Sequence, residues 1–398
     1  MSVSALLLAV AAVLPVPTGP FAVGRVTIEI VDRSRLEPPS PDPSYRTLVV
    51  DVWYPAEKSD GPSAPYLDAA AFERALGETG LRRQLGGAYD AIKGGRVLTH
   101  AVIRAPFSHS AGRAPVLIFS PGGGLVREVY AAQLEDLASH GFVVAAMTHP
   151  YDGIVTVHSD GRWITYDPKR WPQIPSFVGE WNLNQHEWHA RDIRVVLDEL
   201  ERLDRAANSA LRFAGHLDLQ RIGAFGHSFG GVAAAKTCQT DHRFAACLNQ
   251  DGLAAWRPFD ADGGSWTTTQ RFMVIQRAGD PGPPPDEELA RMKITREQAT
   301  ALFAQLNREH DGALRLPGGA YEVVLDRTKT THMDFTDLPL LGAGTSEDAD
   351  ARARVVATVR GLTLAFFEWS LRGKRPALLQ RTPADAPIET IRRFGATP

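Results

Sequence analysis

Residues Arg221 to Val232, RIGAFGHSFGGV, decide the fold, because an apolar strand pattern runs through a glycine-flanked serine into a helix of small residues. Gly226 to Gly230, GHSFG, has the form G-x-S-x-G, which places a nucleophile on a sharp strand-to-helix turn. Glycine is needed on both sides because a side chain there would collide with neighbouring backbone. The serine would stand at a helix N-terminus, where partial positive charge favours a developing anion. We predict that Ser228 is a nucleophile.

Short continuous apolar runs occur on both sides of this motif, and each suits a strand buried on both faces. They are Val116 to Phe119, Phe142 to Met147, Ile222 to Phe225, Ala245 to Leu248, Phe272 to Ile275 and Tyr321 to Leu325. Helical patterns separate or follow them, notably Ile193 to Leu203 and Val355 to Leu371. This alternation predicts an α/β protein with a mostly parallel, doubly wound sheet flanked by helices, as in the α/β-hydrolase fold. Val26 to Ile30 and Thr47 to Tyr54 predict an antiparallel lead-in hairpin.

The chain is expected to form one domain, residues 17–398, after an apolar N-terminal segment, residues 1–16. That segment includes ALLLAVAAVLPV, Ala5 to Val16, which is shorter than the roughly 20 residues of a membrane-spanning helix. It has the length of a signal-peptide core, but no Lys or Arg precedes Arg25. Export or membrane anchoring and a cytoplasmic location therefore both remain open.

Two insertions interrupt the strand–helix alternation and are expected to shape the mouth of a pocket. Trp163 to Trp188 contains four tryptophans, and Asp280 to Pro285 reads DPGPPP. The residues concerned are Trp163, Trp171, Trp181, Trp188, Pro281, Pro283, Pro284 and Pro285. If the tryptophans face the cleft they narrow an acyl channel and select short acyl groups. The alternative is that they only anchor the insertion to the body of the domain.

The charge distribution argues against a nucleic-acid partner, and the histidine spacing argues against a metal site. The formal net charge is −3 with interleaved charges and no basic stripe, so nucleic acid is not an expected partner. His186 and His189 in HEWH lack further ligands for a metal and are interpreted as interfacial or pocket-wall residues. We therefore expect neither metal nor organic cofactor. Cys238 and Cys247 are expected to be two buried thiols rather than a local disulfide.

A serine hydroxyl needs a base, and in this fold the histidine follows both the serine and the acid along the chain. Three of the twelve histidines qualify: His242, His310 and His332. His242 follows the helix of the elbow too closely to return to its top, and His310 lies in a polar, solvated stretch. His332 follows the last buried strand, where a loop would point over the elbow. We predict His332 as the base.

Two aspartates could orient this histidine. Asp251 ends the strand after the elbow, and Asp280 ends the following strand, which is the commoner position in this fold. Both carboxylates would lie at the correct edge of the sheet, so local chemistry does not separate them. Whichever is not the acid is expected to be an ordinary turn aspartate.

The oxyanion of the tetrahedral intermediate is expected to bind two backbone N–H groups, which are preorganised and need no side chain. One belongs to Phe229, the residue after the nucleophile. The other should come from the glycine run Ser120 to Gly124, SPGGG, where the absence of side chains lets substrate approach the backbone.

Six segments resemble the platelet-activating factor acetylhydrolase family in order and character. They are PTGPFAVG (Pro17 to Gly24), FSPGGG, LASHGFVVAAMTHPYDG, GHSFGG, LNQDG and THMDFTDLP. The resemblance implies that the acid follows the strand immediately after the elbow, which is Asp251, and that the first oxyanion N–H belongs to Gly123. Pro121 stands where that family often carries histidine.

The expected function is a serine carboxylic ester hydrolase. By resemblance, it would act on short acyl esters, including the sn-2 position of short-chain phospholipids, with transient contact to a lipid surface. A cutinase-like polyester or triglyceride hydrolase is the alternative with the same chemistry. A non-catalytic binding module on the same scaffold is the alternative from another class, and the intact Ser228, His332 and Asp251 argue against it. The oligomeric state is not predicted.

Overall fold

A computed structural model describes most of the chain. The residues described are 12–37, 44–79, 85, 87–93, 95, 97–167, 180–206, 213–252, 269–279, 283, 285–292, 295–301, 304, 314, 318–342, 345–381, 383 and 385–395. Within them, the side chains of the first residues of the long helix that begins at residue 180 are not described.

Fourteen strands occur in the part of the chain that the structure describes. They are β1 (Ala12–Val13), β2 (Ala22–Leu36), β3 (Tyr45–Ala56), β4 (Ser63–Pro65), β5 (Val97–Ile103), β6 (Ala114–Ser120), β7 (Val143–Thr148), β8 (Val155–Val157), β9 (Trp163–Thr165), β10 (Leu217–His227), β11 (Phe244–Gln250), β12 (Arg271–Arg277), β13 (Ala320–Leu325) and β14 (Ile388–Phe394). Twelve of them form one sheet in the order β1-β5-β2-β3-β7-β6-β10-β11-β12-β13-β14, with β4 paired to β5. The strands β8 and β9 form a separate antiparallel hairpin.

Nine α-helices of the described residues are numbered here in chain order, and residues 296–301 are also helical. They are α1 (Ala69–Thr79), α2 (Ala88–Lys93), α3 (Ala131–Ser139), α4 (Glu180–Arg205), α5 (Phe229–Thr240), α6 (Asp286–Met292), α7 (Leu338–Leu341), α8 (Ser346–Arg372) and α9 (Ala377–Gln380). Three short 3₁₀ helices span His109–Ala111, Arg127–Tyr130 and His332–Phe335. None of the helices in these ranges is long and apolar enough to cross a membrane.

The centre of the sheet is parallel, from β7 through β6, β10, β11 and β12 to β13. The antiparallel hairpin β2–β3 joins it through β3 and β7, and β14 closes the other edge antiparallel to β13. The predicted fold class, the six buried strands and the lead-in hairpin are confirmed. The edge strand β14 was not predicted, because its side chains are half-buried or exposed and show no period of two.

Two hydrophobic cores cover the two faces of the sheet, since successive strand residues point to opposite sides. Leu117 and Phe119 of β6 belong to one core, together with α3 and α8. Val116 and Ile118 belong to the other, together with α4 and α5. β6 is buried along its whole length, and β10 is buried from Ile222 to His227. The layers therefore enclose the carboxyl ends of both strands at one edge of the sheet.

The expectation of two free thiols was wrong, because Cys238 and Cys247 form a disulfide. Cys238 lies near the end of α5, and the chain returns through a short turn into β11, which carries Cys247. The helix packs directly on that strand, so the two Cα atoms are 6.2 Å apart, within the range that a disulfide spans. Burial was predicted correctly, but the helix-to-strand return that pairs the sulfurs was not considered.

The tryptophan-rich insertion is shorter than the sequence suggested, since α4 already begins at Glu180. Trp163 starts β9, and the Arg74 guanidinium lies 4.5 Å from its ring centroid. Trp188 lies within α4, and Arg35 and Arg46 lie over its ring. Trp163 and Trp188 therefore anchor these segments to the body of the domain. Trp171 and the side chain of Trp181 lie outside the described residues.

Candidate active site

The serine motif forms a strained turn between β10 and α5. Ser228 has φ 53° and ψ −121°, in the left-handed half of φ/ψ space that ordinary residues avoid. A Cβ on Gly226 would lie 2.4 Å from the carbonyl oxygen of Gly230, and one on Gly230 would lie 2.1 Å from that of Ser120. No side chain fits at either position. The glycines therefore permit the turn that raises Ser228 above the sheet.

Asp251 follows β11 directly and also has a positive φ, 52°. The backbone N–H of Ser228 donates to the carbonyl oxygen of Gln250 at 2.7 Å, and that of Asp251 donates to Ile275 at 2.7 Å. Each turn is thus tied to the end of the neighbouring strand. These cross-strand hydrogen bonds set the position of the serine relative to the carboxylate.

His332 opens the 3₁₀ helix that follows β13. A capping box between Thr331 and Asp334 fixes the start of this helix, and the Asp334 carboxylate also binds Arg352 at 2.7 Å. His332 Nδ1 lies 2.6 Å from Asp251 Oδ2, and His332 Nε2 lies 2.9 Å from Ser228 Oγ. The structure therefore brings the predicted serine, histidine and aspartate together in one hydrogen-bonded line.

This line fixes the donors and acceptors. The carboxylate accepts, so His332 Nδ1–H donates to Asp251, which leaves Nε2 to accept from the Ser228 hydroxyl. The His332 side chain is 38% exposed while that of Asp251 is 9% exposed. Solvent therefore reaches the His332 ring, while the carboxylate that it contacts is mostly shielded.

Arg277 is a contact of the acid that the sequence did not indicate. Its Nε donates to Asp251 Oδ2 at 2.7 Å, and its backbone N–H donates to Oδ1 at 3.1 Å. Burial raises the pKa of Asp251, but the hydrogen bonds and charges of His332 and Arg277 outweigh it and hold the pKa below its usual value. The carboxylate is therefore ionised at neutral pH.

The histidine inside the elbow, His227, is a second residue that the sequence analysis left without a role, although it lies within the motif. Its Nδ1 is 2.9 Å from Tyr130 Oη, which also accepts the backbone N–H of Gly122 at 3.0 Å. Its ring stacks on Phe335 and its centroid is 4.5 Å from that of His332. Complete burial and the neighbouring His332 lower the pKa of His227 to about 3. His227 is neutral at physiological pH.

The two predicted oxyanion donors adjoin each other beside the serine. Gly123 is exposed, and a Cβ built on it would lie 3.8 Å from the Cβ of Phe229. Phe229 is the first residue of α5, so its N–H belongs to the helix N-terminus. Tyr130 holds the adjacent Gly122 N–H, which fixes the loop that carries Gly123.

Asp280 and His310 lie outside the described residues, so the structure does not place them. His242 is exposed in the turn between α5 and β11. His189 is fully buried on α4, stacked on His149 with 3.6 Å between ring centroids, while the side chain of His186 is not described. Within the described ranges, no group of three or more His, Cys, Asp or Glu side chains has the arrangement of a metal site.

A central parallel sheet with a serine turn at its carboxyl edge defines an α/β-hydrolase, and comparison with known proteins agrees. Residues 9–159 match the family model described as platelet-activating factor acetylhydrolase, isoform II. Residues 205–293 match that of the prolyl oligopeptidase family. The first match lies before the elbow and covers 151 of the 398 residues, and the second includes the elbow and covers 89.

Individual relatives point to the same chemistry. A probable 1-alkyl-2-acetylglycerophosphocholine esterase of Arthroderma benhamiae is 27% identical, with 92% of this chain and 90% of that protein covered. A platelet-activating factor acetylhydrolase of Cavia porcellus is 26% identical over 50% of this chain and 49% of its own length. The solved ferulic acid esterase of Streptomyces cinnamoneus is 27% identical with TM-score 0.68, covering 95% of this chain and 98% of that one.

The chain is a serine carboxylic ester hydrolase of the α/β-hydrolase superfamily. Its resemblance to the platelet-activating factor acetylhydrolases is confirmed by the matching family model and by the named relatives. Its substrates are accordingly small-molecule esters.

Proposed function

We propose that Ser228, His332 and Asp251 are the catalytic triad of this esterase. The observation that carries the proposal is the unbroken hydrogen-bonded line from Ser228 Oγ through the His332 ring to Asp251, with distances of 2.9 and 2.6 Å. Ser228 is the nucleophile, His332 is the general base and then the general acid, and Asp251 orients the imidazole and stabilises its charged form.

The reaction proceeds through an acyl-enzyme. Ser228 Oγ attacks the ester carbonyl carbon while His332 Nε2 takes the hydroxyl proton, and the carbonyl oxygen becomes an oxyanion bound by the N–H groups of Gly123 and Phe229. The tetrahedral intermediate collapses, and His332 gives its proton to the departing alkoxide. Water then attacks the acyl-serine with His332 again as base, which releases the carboxylic acid and restores Ser228. These steps use neither a metal nor an organic cofactor.

The neutral state of His227 supports this mechanism. His332 becomes positively charged in each step, and the His227 ring lies 4.5 Å from it. A charged His227 would oppose that step by electrostatic repulsion. Because burial lowers the pKa of His227 to about 3, the ring carries no charge when His332 is active. Tyr130 satisfies its Nδ1 without introducing a charge.

We further propose that the substrates are esters of short acyl groups, including the sn-2 acetyl group of modified phospholipids. The support is the relative named as a 1-alkyl-2-acetylglycerophosphocholine esterase, which aligns with 92% of this chain. A second candidate is an ester of an aromatic acid, because the ferulic acid esterase matches 95% of the chain at the same identity. Cutinase-like polyester and triglyceride hydrolysis uses the same triad and needs an open cleft.

A panel of esters separates these candidates. The values of kcat/KM are measured for p-nitrophenyl acetate, butyrate, octanoate and palmitate below their micellar concentrations, and for ethyl ferulate and a short-chain and a long-chain phosphatidylcholine. We expect the highest values for acetate and butyrate and a steep fall beyond them. A profile that stays flat or rises through palmitate contradicts the short-acyl proposal, and a preference for ferulate favours the second candidate.

A phospholipid substrate would require transient contact with a lipid surface. The exposed large apolar side chains of the described residues include Val13 and Leu98, which are paired between β1 and β5, and the nearby Val16. Flotation with phosphatidylcholine vesicles tests this contact. Weak binding that is reduced by Val13→Ser and Leu98→Ser together supports it, and the absence of any binding contradicts it.

The triad assignment is tested by a fluorophosphonate probe, which labels only an activated serine. Intact mass and peptide mapping should show one adduct, on Ser228. Ser228→Ala should abolish labelling, while Ser120→Ala, which changes a buried serine beside the elbow, should still be labelled. An adduct mapped to any other serine contradicts the assignment.

A further inference from the structure

A second line of serine, histidine and aspartate lies behind the elbow, and the mechanism above does not use it. Ser120 Oγ lies 2.8 Å from His149 Nε2, and His149 Nδ1 lies 2.8 Å from Asp192 Oδ2. The three residues come from the end of β6, the residue after β7, and α4 respectively. Their side chains are all essentially inaccessible to solvent. Because substrate cannot reach Ser120, this line is not a second nucleophilic centre.

The aspartate of this line is held by two buried arginines. Arg46 Nε and Nη2 donate to the two carboxylate oxygens of Asp192 at 2.8 and 2.6 Å, and Arg35 Nη2 donates to Oδ1 at 2.6 Å. Arg46 and Arg35 belong to the hairpin β2–β3, so the contact joins this hairpin to α4. Burial raises the pKa of Asp192, but the two arginine charges and the hydrogen bonds hold it well below its usual value. The carboxylate is therefore a fixed, ionised anchor.

The histidine of this line is a neutral spacer with a defined ring orientation. Burial lowers the pKa of His149, and the hydrogen bond with Asp192 opposes this without overcoming it. With Asp192 ionised, Nδ1–H donates to the carboxylate and Nε2 accepts from the Ser120 hydroxyl. The orientation of the Ser120 hydroxyl is thus fixed by a series of hydrogen bonds that runs through His149 and Asp192 to the two arginines.

The line contacts both sides of the proposed oxyanion hole. Ser120 immediately precedes Pro121-Gly122-Gly123, and its carbonyl oxygen occupies the space where a Cβ on Gly226 or Gly230 would lie. The His149 ring stacks on that of His189 with 3.6 Å between centroids. His189 in turn meets the Phe229 ring edge-on at 5.2 Å. Through these contacts, His149 is linked both to Ser120, which precedes the loop that carries Gly123, and through His189 to Phe229, the other proposed donor.

We propose that Ser120, His149 and Asp192 are positioning residues that hold the two oxyanion donors at their catalytic separation. The proposal rests on the assignment of Gly123 and Phe229 as those donors. Loss of one oxyanion donor typically costs about 100- to 1000-fold in kcat. Displacement of a loop that keeps its donor should cost less, about 10-fold, because a misplacement of about 1 Å costs up to about 100-fold.

The test is Ser120→Ala, which removes one hydroxyl and adds no volume. We expect kcat for p-nitrophenyl acetate to fall about 10-fold, with KM within about twofold of wild type. The inhibition constant of a trifluoromethyl ketone, whose hemiketal oxygen occupies the oxyanion hole, should rise by the same factor. Active enzyme is counted by fluorophosphonate titration, so that partial unfolding does not enter kcat. The matched control is Thr99→Val on β5, which removes a buried hydroxyl bonded to the Ala64 carbonyl oxygen and should leave both constants unchanged.

The line also predicts non-additivity. Once His149→Phe has removed the acceptor, Ser120→Ala in the same chain should cause little further loss in kcat. Unchanged kcat and inhibitor affinity in Ser120→Ala, or a loss shared equally by Thr99→Val, would overturn the positioning role. That result is separate from failure of the triad proposal, which would appear as activity retained in Ser228→Ala.

Discussion

Replacing Asp251 with asparagine tests the electrostatic part of the mechanism. The negative charge of Asp251 faces the imidazolium that forms on His332, with 2.6 Å between Oδ2 and Nδ1. For charge centres about 4 Å apart at an effective dielectric constant near 20, the attraction is about 4 kcal/mol. Arg277, bonded to the same oxygen at 2.7 Å, offsets part of it. We expect a loss of about 3–4 kcal/mol of transition-state stabilisation, or about 100- to 1000-fold in kcat.

The contacts of Asp251 also predict how the asparagine will be oriented. Two N–H groups, from His332 and the Arg277 side chain, point at Oδ2, and one backbone N–H points at Oδ1. The amide oxygen should therefore take the place of Oδ2, so that His332 keeps its tautomer, while the amide NH₂ faces the backbone N–H of Arg277. Two opposed donors in a mostly buried site should lower the free energy of unfolding by about 1–3 kcal/mol.

This orientation gives the experiment a second arm. In the double variant Asp251→Asn with Arg277→Met, one of the N–H groups that fix the amide is gone, so the NH₂ can turn to His332 and impose the wrong tautomer. That state costs about 10⁴-fold in a well-studied triad, so the double variant should be slower than Asp251→Asn alone. Steady-state kcat at neutral pH and urea unfolding are the assays. Asp280→Asn is the control, and a larger loss there than in Asp251→Asn would refute the assignment of the acid.

Two further predictions concern stability. The disulfide between Cys238 and Cys247 closes a loop with a sequence separation of 9. Its reduction should lower the free energy of unfolding by about 2–3 kcal/mol, measured by urea unfolding with and without reductant. A double alanine variant that still responds to reductant would contradict this. Because burial and the neighbouring His332 lower the pKa of His227 to about 3, the unfolded chain, with a histidine pKa near 6.5, binds one more proton between these values. The free energy of unfolding should therefore rise with pH in that window by up to about 1.4 kcal/mol per pH unit, and His227→Phe should show a flatter dependence; equal slopes in the two proteins would contradict it.

The sequence predicted the elements whose pattern is local. The elbow is a run of neighbouring residues in which glycine, strand and helix signals agree, and the six buried strands are continuous apolar runs. From the order of the elements along the chain, Ser228 and His332 were expected at the same edge of the sheet. The structure has them within hydrogen-bonding distance. The choice of Asp251 over Asp280 came from family resemblance, since two turn aspartates at adjacent strand ends are chemically equivalent in sequence.

Contacts between distant segments could not be predicted in this way. Tyr130 and His227 are separated by 97 positions, and His149 and Asp192 by 43. Neither pair belongs to a motif, because only the packing of helical segments against the sheet brings the partners together. The disulfide was missed for the same reason at shorter range, since the return from α5 into β11 decides whether two buried cysteines meet.

The most direct test of the account is the turnover of Ser228→Ala. The substitution removes only the Ser228 hydroxyl. The backbone of this turn is held by the flanking glycines and by the hydrogen bond to the Gln250 carbonyl oxygen, so the fold should be preserved. Residual kcat on p-nitrophenyl acetate should fall by several powers of ten, with an unfolding curve like that of the wild type. A folded Ser228→Ala protein that keeps more than about 1% of wild-type kcat contradicts the central claim that this serine carries the reaction.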